Sequence, residues 1–297
     1  MLPKVQLGRT GLEVTRLGFG ALELRDTIGN GGRLPCEEHA GTVLNAVLDA
    51  GINFIDTSAV YGRSEEFIGR FASHRRDEFY IATKLGGVLP SGVEAWSRQS
   101  MLESIDQSLL RLKTDHVDIL QLRGPTKAAI EQHDCIATLE EIRASGKTRF
   151  IGVSAVRPHI DDMIATGAFD AFQIVYSALE PEHEATISLA EEAGGATIIR
   201  GGAVKGAPLR NDGRGGEFPL VRSRWLSAHL DDLIEGRDIV ETMFRYALGH
   251  PSAHTFINGT KDLEHLRANI RATELGPLEP DLREAIRDRV FAAVAKE

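Results

Sequence analysis

Asn53-Phe54-Ile55-Asp56-Thr57-Ser58 is a short apolar run that ends in polar residues, and Ala59-Val60-Tyr61-Gly62 follows it directly. A second run, Phe79-Tyr80-Ile81-Ala82-Thr83-Lys84, has the same form. Runs of this length, nearly continuous in apolar residues, are typical of buried parallel strands. Because parallel strands end at the same edge of a sheet, we expect Asp56, Tyr61 and Lys84 to meet there.

Eight such runs recur along the chain, separated by stretches with helical periodicity. They cover residues 16–20, 53–58, 79–84, 117–122, 150–154, 172–176, 197–201 and 255–260. Buried strands that alternate with helices predict a parallel α/β sheet covered by helices. Eight repeats predict a (β/α)8 TIM barrel, which takes about 250 residues. The chain has 297 residues, so we expect a single domain over residues 1–297.

Two additions to the barrel are expected. Residues 4–14 alternate around a glycine-containing turn and predict an N-terminal β-hairpin at the amino end of the barrel. Residues 281–295 carry apolar side chains on one face and predict a C-terminal extra helix. The predicted helices between strands include residues 37–50, 97–112 and 135–144.

Two glycine-rich segments fit neither pattern. Residues 23–35 follow the first barrel strand, and residues 206–219 follow the seventh. Long loops at the carboxyl ends of barrel strands usually shape an active site, and a functionless insertion is the alternative.

Composition excludes several classes of function. The net charge of −9 argues against a nucleic-acid or anionic-membrane surface. No apolar stretch approaches the roughly 18 residues of a membrane span, and the first residues lack the apolar core of a signal peptide. Cys36 and Cys135 lie far apart, which is typical of reduced thiols in a cytoplasm. We therefore expect a cytoplasmic protein, a monomer or small homo-oligomer, that acts on small molecules.

The histidines predict no metal site. The chain has 10 of them, and none is spaced with cysteines or acidic residues as metal ligands are.

Further motifs complete an ordered pattern. They are Leu7-Gly8-Arg9-Thr10-Gly11, Asp56-Thr57-Ser58-Ala59-Val60-Tyr61-Gly62, Ala82-Thr83-Lys84, Val117-Asp118-Ile119-Leu120-Gln121-Leu122, Phe150-Ile151-Gly152-Val153-Ser154, Gln173-Ile174-Val175-Tyr176-Ser177 and Gly259-Thr260. With this set the chain resembles the aldo-keto reductase superfamily along essentially its whole length. The resemblance implies a barrel that binds an extended nicotinamide dinucleotide, usually NADP with NAD as the alternative. Gly18-Phe19-Gly20 lacks the third glycine of a Rossmann motif, which agrees with that reading.

The resemblance also implies a reaction, the transfer of a hydride between the nicotinamide and a carbonyl or alcohol substrate. Three members of the family's catalytic tetrad fall on Asp56, Tyr61 and Lys84, with Tyr61 as the proton donor or acceptor. An acid and an amine beside a tyrosine can make its phenol a proton donor near neutral pH. At the fourth position, where the family usually has histidine, this chain has Arg123.

Arg123 leaves four interpretations open. It could stabilise developing charge on the substrate oxygen as a cationic donor. It could bind a carboxylate or phosphate of the substrate through two hydrogen bonds. It could mark a protein in which carbonyl reduction has weakened, leaving double-bond reduction or an NADP(H)-binding sensor or accessory role. It could also simply point to the surface.

The resemblance assigns ten further residues to the cofactor. Ser154 and Gln173 match the positions that bind the nicotinamide carboxamide, although Ala155 stands where the family has asparagine. A helix that opens near residue 259 would offer free N–H groups to a phosphate. The expected cofactor-binding residues are Gly20, Ser154, Gln173, Arg200, Gly201, Gly259, Thr260, Lys261, His265 and Asn269.

Overall fold

The computed structural model describes residues 1–25, 37–86, 96–203 and 219–297. The strands are β1 (Lys4–Gln6), β2 (Glu13–Thr15), β3 (Leu17–Gly20), β4 (Phe54–Asp56), β5 (Tyr80–Leu85), β6 (Val117–Arg123), β7 (Thr148–Ser154), β8 (Ala171–Val175), β9 (Ala196–Arg200) and β10 (Thr255–Asn258). Strands β3 to β10 pair in parallel in sequence order, and β10 pairs with β3 to close a barrel. The predicted eight-stranded barrel is confirmed.

Helices surround the barrel. They are α1 (Glu37–Asp49), α2 (Ser64–Phe71), α3 (Arg98–Leu112), α4 (Lys127–His133), α5 (Cys135–Ala144), α6 (His159–Ala165), α7 (Glu184–Glu192), α8 (Pro219–Ser227), α9 (Leu230–Leu233), α10 (Ile239–Leu248), α11 (Leu263–Leu275) and α12 (Pro280–Val294). The predicted C-terminal helix is α12, and it begins one residue earlier than predicted, at Pro280. Proline suits that place because the first turn of a helix does not use its N–H groups.

The predicted hairpin forms from β1 and β2, which pair in antiparallel fashion. Leu7, Leu12 and Val14 are at most 2% exposed and pack against inward-facing barrel residues. Gly8, in the turn, has φ +51°, and a Cβ built on it would lie 2.5 Å from the backbone nitrogen of Ala196. The hairpin therefore closes the amino end of the barrel through a contact that only glycine allows.

Side chains on each barrel strand alternate between the interior and the surrounding helices. On β6, Ile119 packs inside the barrel, whereas Leu120 and Leu122 pack in the outer layer. Gln121 and Arg123 continue the inward row of Ile119 toward the carboxyl end. The same alternation on other strands makes the interior apolar at its hairpin end and polar at the opposite end.

Some expectations fall on residues outside the described ranges. The residues concerned are Cys36, residues 26–35 of the first glycine-rich segment and residues 206–218 of the second. Cys135 is buried and forms no disulfide. Within the described residues, none of the helices combines the length and the apolar character that a membrane crossing needs.

Candidate active site

The three residues predicted to meet come together at the carboxyl end of the barrel. Asp56 and Lys84 end the inward rows of β4 and β5, where Asp56 pairs in register with Ala82. The Lys84 Nζ lies 2.7 Å and 2.6 Å from the two carboxylate oxygens of Asp56 and donates to the Thr57 carbonyl oxygen at 2.9 Å. The Lys84 and Asp56 side chains are only 2% and 3% exposed. Such a pair is held firmly, because either charge alone would be costly to bury.

Tyr61 stands beside this ion pair. Its ring centroid lies 5.2 Å from the Lys84 Nζ. The turn after β4 fixes its backbone, since the Tyr61 N–H donates to the Ser58 carbonyl at 3.0 Å and its own carbonyl accepts from the Ser64 N–H at 3.0 Å. The ammonium of Lys84 therefore lies against the phenol, as the sequence predicts.

A chain of hydrogen bonds joins the predicted carboxamide-binding residues to Asp56. The Ser154 hydroxyl donates to Gln173 Oε1 at 2.9 Å, and Gln173 Nε2 donates to Asp56 Oδ1 at 2.7 Å. Gln121 Nε2 donates to the same oxygen at 3.2 Å. Gln121 was not predicted as a site residue, although its place two residues before Arg123 puts it on the same inward row. Its Oε1 is buried and has no hydrogen-bond partner in the described ranges.

Arg200 lies at the end of β9 on the inward row of Ile198 and is half-buried. Burial lowers the pKa of its guanidinium, and repulsion from Arg123 adds to this effect. Tyr61, Glu180 and Asp56 act in the opposite direction on that pKa. Arg200 therefore shares one electrostatic environment with the catalytic candidates.

Arg123 ends β6 and is exposed at the mouth of the barrel, in register with Ser154. Its place on the inward row of Ile119 and its effect on Arg200 argue against a side chain directed away from the site. The guanidinium groups of Arg123 and Arg200 have no hydrogen-bond or ion-pair partner among the residues that the structure describes.

Glu180 is a second residue that was not predicted. It follows β8, and its Oε2 accepts a hydrogen bond from the Ser177 hydroxyl at 2.9 Å. Burial raises the pKa of the Glu180 carboxyl, while the charge of Arg200 lowers it. In the sequence, Glu180 lies in a loop with no motif of its own, so nothing marked it as facing an arginine.

The predicted glycines meet where β10 pairs with β3. A Cβ built on Gly259 would lie 2.6 Å from the carbonyl oxygen of Gly20, so the two backbones touch in a way that a side chain would prevent. Gly201 follows directly after β9. Thr260 is engaged in its own loop, where its Oγ1 accepts from the Asp262 N–H at 2.9 Å.

The helix after β10 differs from expectation in one respect. It begins at Leu263 rather than near residue 259, and the Asp262 side chain caps it by accepting from the Glu264 N–H at 2.7 Å. This bond is the main reason that the pKa of Asp262 lies below its usual value. A carboxylate thus occupies part of the helix end that was expected to face a phosphate.

The remaining predicted cofactor residues stand apart from the buried group. His265 is exposed in the first turn of α11, and Asn269 is half-buried further along the same helix. The Lys261 carbonyl lies 2.6 Å from His39 Nε2, a contact with α1 that sequence reasoning missed. In the described ranges, no three His, Cys, Asp or Glu side chains gather as metal ligands would.

A sequence model of the aldo/keto reductase family matches residues 16–288. The chain belongs to the aldo/keto reductase family. This aldo/keto reductase is 28% identical over 288 residues to an uncharacterized oxidoreductase, YqkF, of Bacillus subtilis, with 91% of this chain and 90% of the relative covered.

Two further relatives cover most of the chain. L-galactose dehydrogenase of Arabidopsis thaliana is 27% identical over 292 residues, which are 93% of this chain and 89% of the relative. The solved structure of the aldo-keto reductase AKR11C1 from Bacillus halodurans, in its holo form, superposes with a TM-score of 0.83 at 28% identity. It covers 97% of this chain and 96% of that one. The family and these relatives support an oxidoreductase function.

Proposed function

We propose that this aldo/keto reductase is an NADP(H)-dependent oxidoreductase that transfers a hydride between the nicotinamide and a carbonyl or alcohol substrate. The observation that carries the proposal is the buried Asp56–Lys84 ion pair with the Tyr61 ring 5.2 Å from the ammonium. A cation held against a phenol favours release of its proton, so Tyr61 is the proton donor in reduction and the acceptor in oxidation.

The residues at the carboxyl end of the barrel suit a nicotinamide dinucleotide. Gln173 uses one N–H on Asp56, which leaves its second amide hydrogen for the carboxamide. Gly20 and Gly259 have no side chains, which leaves room for the dinucleotide at the carboxyl ends of β3 and β10. The buried Asn258 Nδ2, at the end of β10, has no partner among the described residues. When bound, the reduced cofactor would supply the hydride.

The phosphates and adenosine are assigned to the loop after β10 and to α11, through Thr260, Lys261, His265 and Asn269. The preference for NADP over NAD rests on the cationic Lys261 and on His265 in this region. Because the carboxylate of Asp262 already caps α11, this part of the proposal depends on side chains rather than on the helix end.

The other residues position the reacting groups. Gln121 and Gln173 both donate to Oδ1 of Asp56 and fix its carboxylate. The carboxylate in turn fixes the Lys84 ammonium through the ion pair. Arg123, at the position of the family's histidine, orients and polarises the substrate oxygen with a permanent charge. We also propose that residues 1–297 act as one cytoplasmic domain, a monomer or small homo-oligomer; these points remain predictions.

The test replaces one phenol at a time. Tyr61→Phe removes the proposed proton donor, and we expect kcat/KM for aldehydes to fall by about 10²- to 10⁴-fold, the usual contribution of a general acid. The dissociation constant of NADPH, measured by fluorescence, should stay unchanged. Tyr80→Phe is the matched control, since Tyr80 begins β5 at the opposite end of the barrel. Undiminished turnover by Tyr61→Phe would remove the proposed role.

A panel of substrates separates this function from its alternatives. The wild-type protein should consume NADPH with saturated aldehydes or ketones. Tight NADPH binding without consumption by any member of the panel would instead indicate a sensor or accessory protein. Consumption with α,β-unsaturated compounds that leaves their carbonyl intact would indicate a double-bond reductase.

A further inference from the structure

Glu65 is a buried carboxylate that the proposed proton transfer does not use. It is the second residue of α2, and its side chain is 1% exposed. The Thr83 hydroxyl donates to its Oε1 at 2.6 Å. Arg111 Nε donates to its Oε2 at 2.8 Å, and Arg111 Nη2 lies at the same distance from that oxygen. One carboxylate oxygen is therefore bonded to β5 and the other to α3.

These bonds connect the two sides of the candidate site. Thr83 precedes Lys84 on β5, and because side chains alternate along a strand, Thr83 faces the helices while Lys84 faces the interior. On α2, Ser64 directly precedes Glu65, and its N–H donates to the Tyr61 carbonyl at 3.0 Å. Two hydrogen bonds thus join the strand that carries Lys84 to the turn that carries Tyr61.

The start of α2 is attached to the site by a second route. The Ser64 hydroxyl donates to the Ala21 carbonyl at 2.9 Å. Its oxygen lies 2.9 Å from Thr57 Oγ1, and Thr57 must be the donor, because the only hydroxyl hydrogen of Ser64 is already used. The Thr57 carbonyl in turn accepts from Lys84 Nζ at 2.9 Å. Thr57 and Thr83 therefore both connect Lys84 to α2.

The contact between α2 and α3 is close at the same arginine. A Cβ built on Gly69 would lie 2.0 Å from the carbonyl oxygen of Arg111, so the two helix backbones touch there. A buried ion pair adds little stability compared with apolar side chains of the same volume. A buried polar network whose groups are all bonded fixes positions closely. The bonds of Glu65 therefore suit a role in the geometry of the site.

We propose that Glu65 is a positioning residue for the proton transfer: through its hydrogen bonds it sets the distance between Tyr61 and Lys84. This inference rests on the proposed function and adds a residue that acts only through its neighbours. The Tyr61 ring centroid lies 5.2 Å from the Lys84 Nζ, and the attraction between an ammonium and a phenolate weakens with distance. A misplacement of about 1 Å in an active site can reduce the rate by about 100-fold. A small movement of α2 is thus enough to weaken Tyr61 as an acid.

Thr83→Val tests the link, because valine has nearly the shape of threonine but cannot donate to Glu65. We expect the single-turnover rate of NADPH oxidation with an aldehyde to fall by about 10- to 100-fold. The dissociation constant of NADPH, measured by fluorescence, should stay unchanged. Thr83→Ser keeps the hydroxyl and should restore most of the rate.

A second measurement follows Tyr61 without cofactor or substrate. The ionisation of its phenol is read from the ultraviolet absorbance of tyrosinate, with Tyr61→Phe as the blank. In Thr83→Val this ionisation should shift to higher pH, because the phenolate lies farther from the Lys84 ammonium. Thr83→Ser should titrate like the wild type.

Thr148→Val is the matched control. Thr148 is 2% exposed and begins β7 at the amino end of the barrel, and its hydroxyl donates to the Phe150 carbonyl at 2.9 Å. The variant removes the same kind of buried, bonded hydroxyl far from the site. It should lower the free energy of unfolding but change neither the rate nor the titration of Tyr61.

Glu65→Gln tests the carboxylate itself. The glutamine oxygen can accept from Thr83 or from Arg111 but cannot replace both carboxylate oxygens, so the rate should fall as it does in Thr83→Val. Because both changes break one link, the double variant should be no slower than the slower of the two single variants.

Three results would overturn the inference and leave the proposed function intact. The first is a folded Thr83→Val protein with the wild-type rate and the wild-type titration of Tyr61. The second is an equal loss of rate in Thr148→Val, and the third is a double variant in which the two losses multiply. Full turnover by Tyr61→Phe would instead contradict the proposed function, and the absorbance titration of the Thr83 variants would still test the link.

Discussion

The Asp56–Lys84 pair allows stability to be separated from catalysis. Lys84→Met keeps a long, unbranched side chain but removes the ammonium that contacts both Asp56 oxygens and the Thr57 carbonyl. The side chain of Asp56 is 3% exposed, so its charge cannot turn to water. Loss of one partner from a buried ion pair costs about 3–5 kcal/mol. Because the amides of Gln121 and Gln173 still donate to Asp56, we expect the lower end of that range.

A second change should restore part of the loss. In the double variant Asp56→Asn/Lys84→Met no charge remains buried, and the asparagine carbonyl can accept from both glutamines at the position of Oδ1. We expect the double variant to be more stable than Lys84→Met alone by at least about 1 kcal/mol. Both variants should lack turnover, because the ammonium beside Tyr61 is gone.

Denaturant unfolding followed by circular dichroism measures these free energies. Lys4→Met is the matched control, since Lys4 pairs with Glu13 at 3.4 Å in a bridge whose side chains are 46% and 58% exposed. That change should cost less than about 1 kcal/mol. The reasoning fails if Lys84→Met costs no more than Lys4→Met, or if the double variant is the less stable of the two Lys84 variants.

Two further predictions concern the hairpin and a buried histidine. Gly8→Ala should cost clearly more stability than Gly11→Ala, because both have positive φ, a conformation that costs other residues about 1–2 kcal/mol, but only the Cβ at Gly8 would meet backbone, at 2.5 Å. Equal unfolding free energies would refute that contact. Burial lowers the pKa of His183 from its ordinary 6.5, so the folded state favours the neutral ring and loses stability as the pH falls below about 6.5. His183→Leu should reduce this loss between neutral pH and about pH 5, measured as denaturant midpoints.

The barrel could be predicted because its pattern is local. The run that ends at Asp56 and the run that ends at Lys84 are each recognisable in six residues, and parallel strands bring their ends together. The hairpin could be predicted in the same way. Helix boundaries were less certain, since the loop after β10 has no apolar periodicity to show that the helix begins at Leu263.

The site could be predicted only where a residue type has a known chemistry. Asp56, Tyr61 and Lys84 were expected and meet in the structure, although their roles remain a proposal. Gln121 was missed because an amide inside an apolar strand has no distinctive sequence pattern, and its bond to Asp56 depends on the closing of the barrel. Glu180 was missed for a similar reason, since its influence on Arg200 depends on the course of a loop.

The contact between Gly20 and Gly259 makes the rim of the barrel uneven. Charged or amide side chains rise from β4, β5, β6, β8 and β9, whereas β3 ends at Gly20 and β10 runs directly into Gly259, with the Glu23 Cγ 3.4 Å from a Cβ built on Gly259. The rim of the barrel is therefore lower at Gly20 and Gly259, and this stretch is called the notch. An elongated molecule whose tip reaches Ser154 and Gln173 can leave sideways over that notch, so its length need not occupy the opening in which a second, smaller molecule meets Tyr61.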